Sequence, residues 1–371
     1  MLYRSLGNTG LRVSEIGFGC ASYWGKTRFS ETEAARLVHT AADRGVTFFD
    51  TGASYSGGNA EPRLGRILRD MKIKHDIVVA TKAGSCTDER GRRREDFSPG
   101  GVRRTVEASL VRLGLDAIPL LHLHGPEIAN ITDDLLDTLT RLREEGKIRH
   151  LSVNSFDVDV VEHVMTLPLF GTVMIDYNIL RPERESIIAK LGARHFGILA
   201  GMALGGGLYR KDRFRIRGIQ DVWYIARAWK NHRSDLKRGR NFQFLDDKTR
   251  STGGEIALAW VLRKPEISCA VLGTTRMPHL LDNLRASGEI LDDDTLRKIS
   301  KAQSRFAVPG RGGASAAKPP AQCGIRSPNP AARCSLMVPQ APRSQARSAT
   351  ARAIAKWRVR IGICGALPPT R

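Results

Sequence analysis

The feature that most constrains this chain is a regular exchange of two apolar patterns. Short β-branched and aromatic runs alternate with segments whose apolar residues recur at helical spacing. The runs fall at 15–20, 46–50, 77–82, 118–124, 150–154, 173–177, 197–203 and 268–273, and read as buried strands. Helical segments follow at 30–45, 60–71, 98–113, 132–145, 156–166, 183–193, 254–262 and 278–286. Start and stop signals support several of them. Ser30-Glu31-Thr32-Glu33 has the form of a capping box, Ser98-Pro99 places a cap before proline, and Gly45, Gly114 and Gly146 stand where helices stop. Alternation of this kind implies a parallel sheet with helices outside it. Eight repeats predict an α/β fold of the (β/α)8 type, with functional residues at the carboxyl ends of the strands. Residues 2–7 and 11–17, on either side of Gly7-Asn8-Thr9-Gly10, read as an N-terminal β-hairpin, and 292–304 as a last amphipathic helix.

Polar residues occupy those strand ends. Val46-Thr47-Phe48-Phe49 runs into Asp50, with Tyr55 five residues later. Val78-Val79-Ala80-Thr81 runs into Lys82, and Leu120-Leu121-His122-Leu123 into His124. Asn154 closes a fourth strand. Taken singly, each is ordinary: a surface lysine, a loop tyrosine, a capping aspartate. Their joint order at successive strand ends makes a site. A phenol titrates near 10 and is a weak acid at neutral pH, but a neighbouring ammonium favours its phenolate. Asp50 would keep Lys82 charged, Tyr55 would deliver a proton to a developing alkoxide, and His124 would orient the carbonyl. The hydride for such a reduction must come from a cofactor.

These four residues, with the opening Leu6-Gly7-Asn8-Thr9-Gly10-Leu11-Arg12-Val13-Ser14-Glu15-Ile16-Gly17-Phe18-Gly19, resemble the bacterial aldo-keto reductase family over residues 2–305. The resemblance implies a TIM barrel that binds NADP without a Rossmann fold, with NAD as the second choice. It implies Tyr55 as proton donor, Lys82 and Asp50 as its tuners, and His124 as the orienter of the carbonyl. For the cofactor it implies Gly19, Asn154 and Ser155 (the family's Ser-Asn pair exchanged), Gly201, Gly273, Thr274, Arg276, Asp282 and Asn283. Met174 stands where the family has a glutamine, and no aromatic marks the seventh strand end at Ala200-Gly201-Met202-Ala203. The expected partner is a small carbonyl or alcohol substrate. The alternative is a nicotinamide-binding regulatory protein on the same barrel.

Composition narrows the remaining classes. The net charge of +21 suggests nucleic acid, but eleven Lys and Arg and no acid lie in 306–371. Subtracting these from the 59 basic residues leaves 48 against 38 acids, a net of +10 over residues 1–305. No nucleic-acid motif accompanies the charge. Residues 306–371 hold nine of the 17 prolines and no periodic apolar face, so a barrel domain at 1–305 and a disordered basic tail are expected. No run of about 18 apolar residues suggests a membrane span, and a cytoplasmic location is the default. The six cysteines have no ligand spacing and read as free thiols. His122 and His124 share a strand face without a third ligand, so no metal is expected. Residues 205–250 read as a long basic insertion with two helices, in which Gly205-Gly206-Gly207 is a phosphate cradle or a loop, Arg210 to Arg217 a solvated face or a pyrophosphate clamp. Tyr23, Trp24 and Trp223 are candidates for pocket wall or core.

Overall fold

The structure is a computed structural model and describes residues 1–71, 77–88, 92–209, 233–247 and 251–306. The tail, Arg210 to Arg217 and Trp223 lie outside the described residues. The expected alternation is present. Barrel strands β3 (Ile16–Gly19), β4 (Phe48–Asp50), β5 (Val78–Ala83), β8 (Ile118–His124), β9 (Ile148–Asn154), β10 (Thr172–Asp176), β11 (Gly197–Gly201) and β12 (Ile267–Leu272) close into one eight-stranded sheet. All eight pairings are parallel, and β12 returns to β3 through Val271 opposite Gly17. Closure removes both sheet edges, which an open parallel sheet would have to cover.

Two apolar layers explain the strands' hydrophobicity on both faces. Phe48, Val78, Ala80, Leu120, Met174, Leu199, Cys269 and Val271 form a cluster that fills the barrel. Outside it, helices α1 (Glu31–Asp43), α2 (Ala60–Asp70), α3 (Pro99–Leu113), α4 (Asp133–Glu144), α5 (Val158–Val164) and α6 (Glu185–Ala193) bring their buried stripes to the sheet. Both N-caps form, Ser30 accepting from the Glu33 amide at 3.3 Å and Ser98 from Gly101 at 3.1 Å, but the expected capping box at Ser30 is only half made, because the Glu33 carboxylate pairs with Arg36 instead. The N-terminal hairpin, β1 (Tyr3–Ser5) paired antiparallel with β2 (Arg12–Ser14), places Leu6 and Val13 in the barrel cluster. It closes the end of the barrel away from the strands' carboxyl termini.

One element was not expected. β6 (Ser85–Thr87) and β7 (Arg93–Glu95) form a small antiparallel hairpin between β5 and α3. The described part of the insertion holds α7 (Arg233–Gly239) and a 3-10 segment, Arg240–Asp247. Arg181 ties α7 to the barrel, reaching Asp235 at 2.9 Å and also Asp176 at the end of β10. Helices α8 (Gly253–Leu262), α9 (Met277–Arg285) and α10 (Asp293–Ser304) complete the described chain. Among the described residues no helix is long and apolar enough to cross a membrane.

Candidate active site

The strands set the first shell by register. Gly19 is opposite Asp50, Lys82 opposite His122, and His124 opposite Asn154, so these residues reach the same end of the barrel. Gly19, Asp50, His124 and Asn154 are the last residues of their strands, and Lys82 is the last but one of its own. Tyr55 opens the turn that follows β4, where Ser56 takes the left-handed region at φ 59°. Two bonds hold that turn against the loop after β3: Ser56 Oγ donates to the Ser22 carbonyl at 2.6 Å, and Asn59 to Gly25 at 2.8 Å.

At the centre is a buried ion pair. Lys82 Nζ donates to Asp50 Oδ1 at 2.5 Å and to the Thr51 carbonyl at 2.7 Å. Lys82 is wholly buried and Asp50 is 5% exposed. The ammonium lies 4.7 Å from the centre of the Tyr55 ring. His124 meets the same ring edge-on, with ring centres 5.6 Å apart and planes at 84°. Burial works against the Lys82 charge, but Asp50 and Tyr55 outweigh it and hold its pKa above the ordinary lysine value. Burial raises the Asp50 pKa, with Lys82 pulling against it.

The phenol corrects the sequence expectation. Lys82 does favour the phenolate, but burial outweighs it, and the Tyr55 pKa is raised above that of an ordinary phenol. The hydroxyl of this half-buried tyrosine therefore keeps its proton at neutral pH. His124 is depressed to about 3, by burial first and then by Lys82 and Arg93, so its ring is neutral and carries one N–H to donate. His122 is buried deeper, with Nε2 3.8 Å from Asp50 Oδ1 and no hydrogen-bond partner at either ring nitrogen among the described residues. It belongs beneath the tetrad. Among the described residues no group of three or more His, Cys, Asp or Glu could hold a metal ion.

The residues expected at a cofactor divide into two regions of the same barrel end. Asn154 ends β9, is 8% exposed, and makes no side-chain hydrogen bond among the described residues. Its neighbour Ser155 is already engaged, with Oγ accepting from the Asp157 amide at 3.2 Å. Gly201 ends β11; a Cβ there would lie 3.2 Å from Met174 Cγ, so glycine keeps this wall open above the buried thioether. The second region lies past β12. The Gly273 backbone passes close to Gly19, and Thr274 Oγ1 accepts from the Arg276 amide at 3.1 Å just ahead of α9. Arg276 is exposed, with no counter-ion among the described residues. Asn283 is buried near Gly254, but Asp282 is held by Arg285 at 2.8 Å. An amide at the end of β9 opposite His124 and a guanidinium at a helix start, each without a side-chain partner among the described residues, fit the two ends of a nicotinamide dinucleotide.

Other expectations resolve more plainly. Trp24 is core, 1% exposed under α1, while Tyr23 meets Phe29 edge-on with ring centres 5.9 Å apart. Gly205–Gly207 forms a 3-10 turn in which the Gly205 and Gly207 amides bond to Met202 and Leu204. Two of the three amides needed for a phosphate cradle are thus already used. Cys20, Cys86 and Cys269 are free thiols. Sequence reasoning missed Arg93, Ser85 and Thr87, which the unexpected hairpin brings over the Tyr55 turn. The signal for them was Gly84 directly after a strand, with a second glycine in the sequence at 91.

Comparison with known proteins bears on this arrangement. The profile described as "Aldo/keto reductase family" matches residues 15–304. The chain belongs to the aldo/keto reductase family. Among curated relatives, L-galactose dehydrogenase of Arabidopsis thaliana is 28% identical over 313 residues, covering 80% of this chain and 92% of that protein. "Probable aldo-keto reductase 1" of Glycine max is 27% identical over 308 residues, covering 80% and 87%. Two solved structures share the fold. Aldo-keto reductase AKR11C1 from Bacillus halodurans, in its holo form, aligns with a TM-score of 0.67 and 24% identity over 81% of this chain and 96% of its own. Glycerol dehydrogenase AKR11B4 from Gluconobacter oxydans aligns with a TM-score of 0.69 and 22% identity over 85% and 99%. This aldo/keto reductase is thus an oxidoreductase on a closed (β/α)8 barrel.

Proposed function

We propose that this aldo/keto reductase interconverts a small carbonyl compound and its alcohol with NADP(H), Tyr55 acting as the proton donor. The observation that carries this reading is the position of the Tyr55 ring between a buried ammonium and a neutral histidine. When bound, the cofactor supplies the hydride. The chain supplies the rest. His124 donates its N–H to the carbonyl oxygen and fixes its direction. As that oxygen gains charge, Tyr55 passes its proton to it, and the alcohol is complete. The Lys82 ammonium, 4.7 Å from the centre of the Tyr55 ring, stabilises the phenolate that remains. Asp50 and the Thr51 carbonyl keep Lys82 from turning away. Tyr55 then regains a proton from solvent.

Asn154 would bond the nicotinamide carboxamide, with Ser155, Gly19 and Gly201 shaping its surroundings. Arg276 at the start of α9, with Gly273, Thr274 and Asn283, would take the adenosine end. Its uncompensated charge favours the 2′-phosphate of NADP over the hydroxyl of NAD. Asp282 contributes by orienting Arg285.

The test is nicotinamide absorbance with NADPH and then NADH over a panel of aldehydes, ketones and sugars. Tyr55→Phe should lower kcat by about 10²- to 10⁴-fold, the usual size of general acid catalysis, while cofactor affinity is kept. A Tyr55→Phe enzyme that reduces as fast as the parent removes Tyr55 from the reaction. Tight NADPH binding with no turnover on any carbonyl replaces the reductase with the regulatory reading.

A further inference from the structure

The barrel mouth carries a charge that the proton transfer does not require. Arg93 stands on β7, and its Nε donates to Ser85 Oγ at 2.9 Å. Ser85 Oγ lies 2.8 Å from Ser54 Oγ, and Ser54 directly precedes Tyr55. On the other side of the same turn, a Cβ on Gly58 would lie 3.7 Å from Thr87 Oγ1, and Thr87 is the register partner of Arg93. Thr87 Oγ1 is buried with no hydrogen-bond partner among the described residues. The hairpin therefore overlies the Tyr55 turn, with a guanidinium and two hydroxyls on it.

Charge balance separates Arg93 from Lys82. Lys82 is neutralised by Asp50 inside the barrel. Among the described residues the acid facing Arg93 is Glu95, 3.3 Å away, and both side chains are more than half exposed. A pair so exposed holds its partners weakly. Arg93 thus presents a cation at the mouth without a buried counter-ion, and its field reaches both Tyr55 and His124, lowering the proton affinity of each.

We infer that Arg93 selects substrates that carry an anionic group, a carboxylate or a phosphate, beside the reacting carbonyl. This rests on the carbonyl-reductase reading above. A guanidinium offers paired N–H donors to either anion, and the bond from its Nε to the buried Ser85 steadies it at the mouth. The anion displaces Glu95, which returns to water at little cost because it is already exposed.

Matched substrates test this: para-formylbenzoate against para-formylbenzamide, and glyceraldehyde phosphate against glyceraldehyde. The full-length enzyme with NADPH should show a kcat/KM about tenfold or more higher for at least one anion than for its neutral partner, the scale of one hydrogen bond to a charged group. Which pair shows it tells carboxylate from phosphate. Arg93→Ala should bring that ratio to near one, Arg93→Lys should keep part of it, and added salt should shrink it. Calorimetry with NADP⁺, which permits no reduction, reads binding of the same compounds without turnover. Ratios near one in both readouts overturn the proposal, as does a preference that survives Arg93→Ala. If nothing is turned over but the binding preference stands and is lost in Arg93→Ala, the reductase reading fails and the anion site remains.

Discussion

Lys82 and Asp50 face opposing demands, and the balance gives a prediction. Both lie out of water, where an isolated charge is costly, and each is tolerable because of the other. Asp50→Asn would leave the Lys82 ammonium among neutral acceptors, without a counter-charge. Burial is the largest influence on Lys82, so its pKa should fall. The expected loss is about 3–5 kcal/mol in stability, read as the shift of a urea midpoint, together with most of kcat. Adding Lys82→Met should recover much of the stability and none of the activity, since no unpaired charge is then left buried. If Asp50→Asn unfolds at the parental midpoint, the pair is not the buried unit described here. This centre was legible in the sequence because Asp50, Lys82, His124 and Asn154 each interrupt an apolar run. The direction of the Tyr55 shift was not. A string shows that an ammonium is near, but not how much water a phenol has lost.

At the scale of elements, the barrel was legible and the hairpin over its mouth was not, for one physical reason. Barrel strands are buried on both faces, so their apolar runs stand out. β7 is Arg93-Arg94-Glu95 and wholly exposed, and β6 contributes Ser85-Cys86-Thr87, so no alternation marks either strand. What directs the hairpin is Gly84. It has φ 86°, and a Cβ there would sit 2.0 Å from the Phe97 ring, which closes over the bend as the chain leaves β5. Gly84→Ala should therefore cost about 1–3 kcal/mol from backbone strain and overpacking together. It should also move Ser85 off Ser54 and lower kcat/KM more than cofactor affinity. Steady-state kinetics beside a denaturation curve would check both. A Gly84→Ala enzyme with parental kinetics would mean that the hairpin is decoration rather than part of the mouth.

Closure of the barrel makes one further demand, which falls on the whole molecule. It buries His122 and His124 beside a lysine that Asp50 holds charged. Burial, Lys82 and His124 push the His122 pKa well below its ordinary value; burial, Lys82 and Arg93 take His124 to about 3. Both rings are neutral in the folded state at neutral pH, whereas in the unfolded chain each titrates near 6.5. As pH falls through that value, the unfolded state takes up protons that the folded state refuses. Stability must therefore fall with falling pH, by up to about 1.4 kcal/mol per pH unit for each histidine, until the folded pKa is reached. Carboxylates paired in the fold, such as Glu145 at about 2, add to the loss only once the unfolded carboxyls near 4 begin to protonate. Between about pH 7 and pH 5 the lowered histidines, His150 with them, drive this loss, while the raised pKa of Asp50 works against it. Urea midpoints should drop across that window, and His122→Gln should flatten the slope even if it lowers the midpoint at neutral pH. Midpoints independent of pH there would mean that the barrel opens enough to let both rings charge while folded. The Lys82–Asp50 pair would then stand in water, without the low dielectric on which its control of Tyr55 depends.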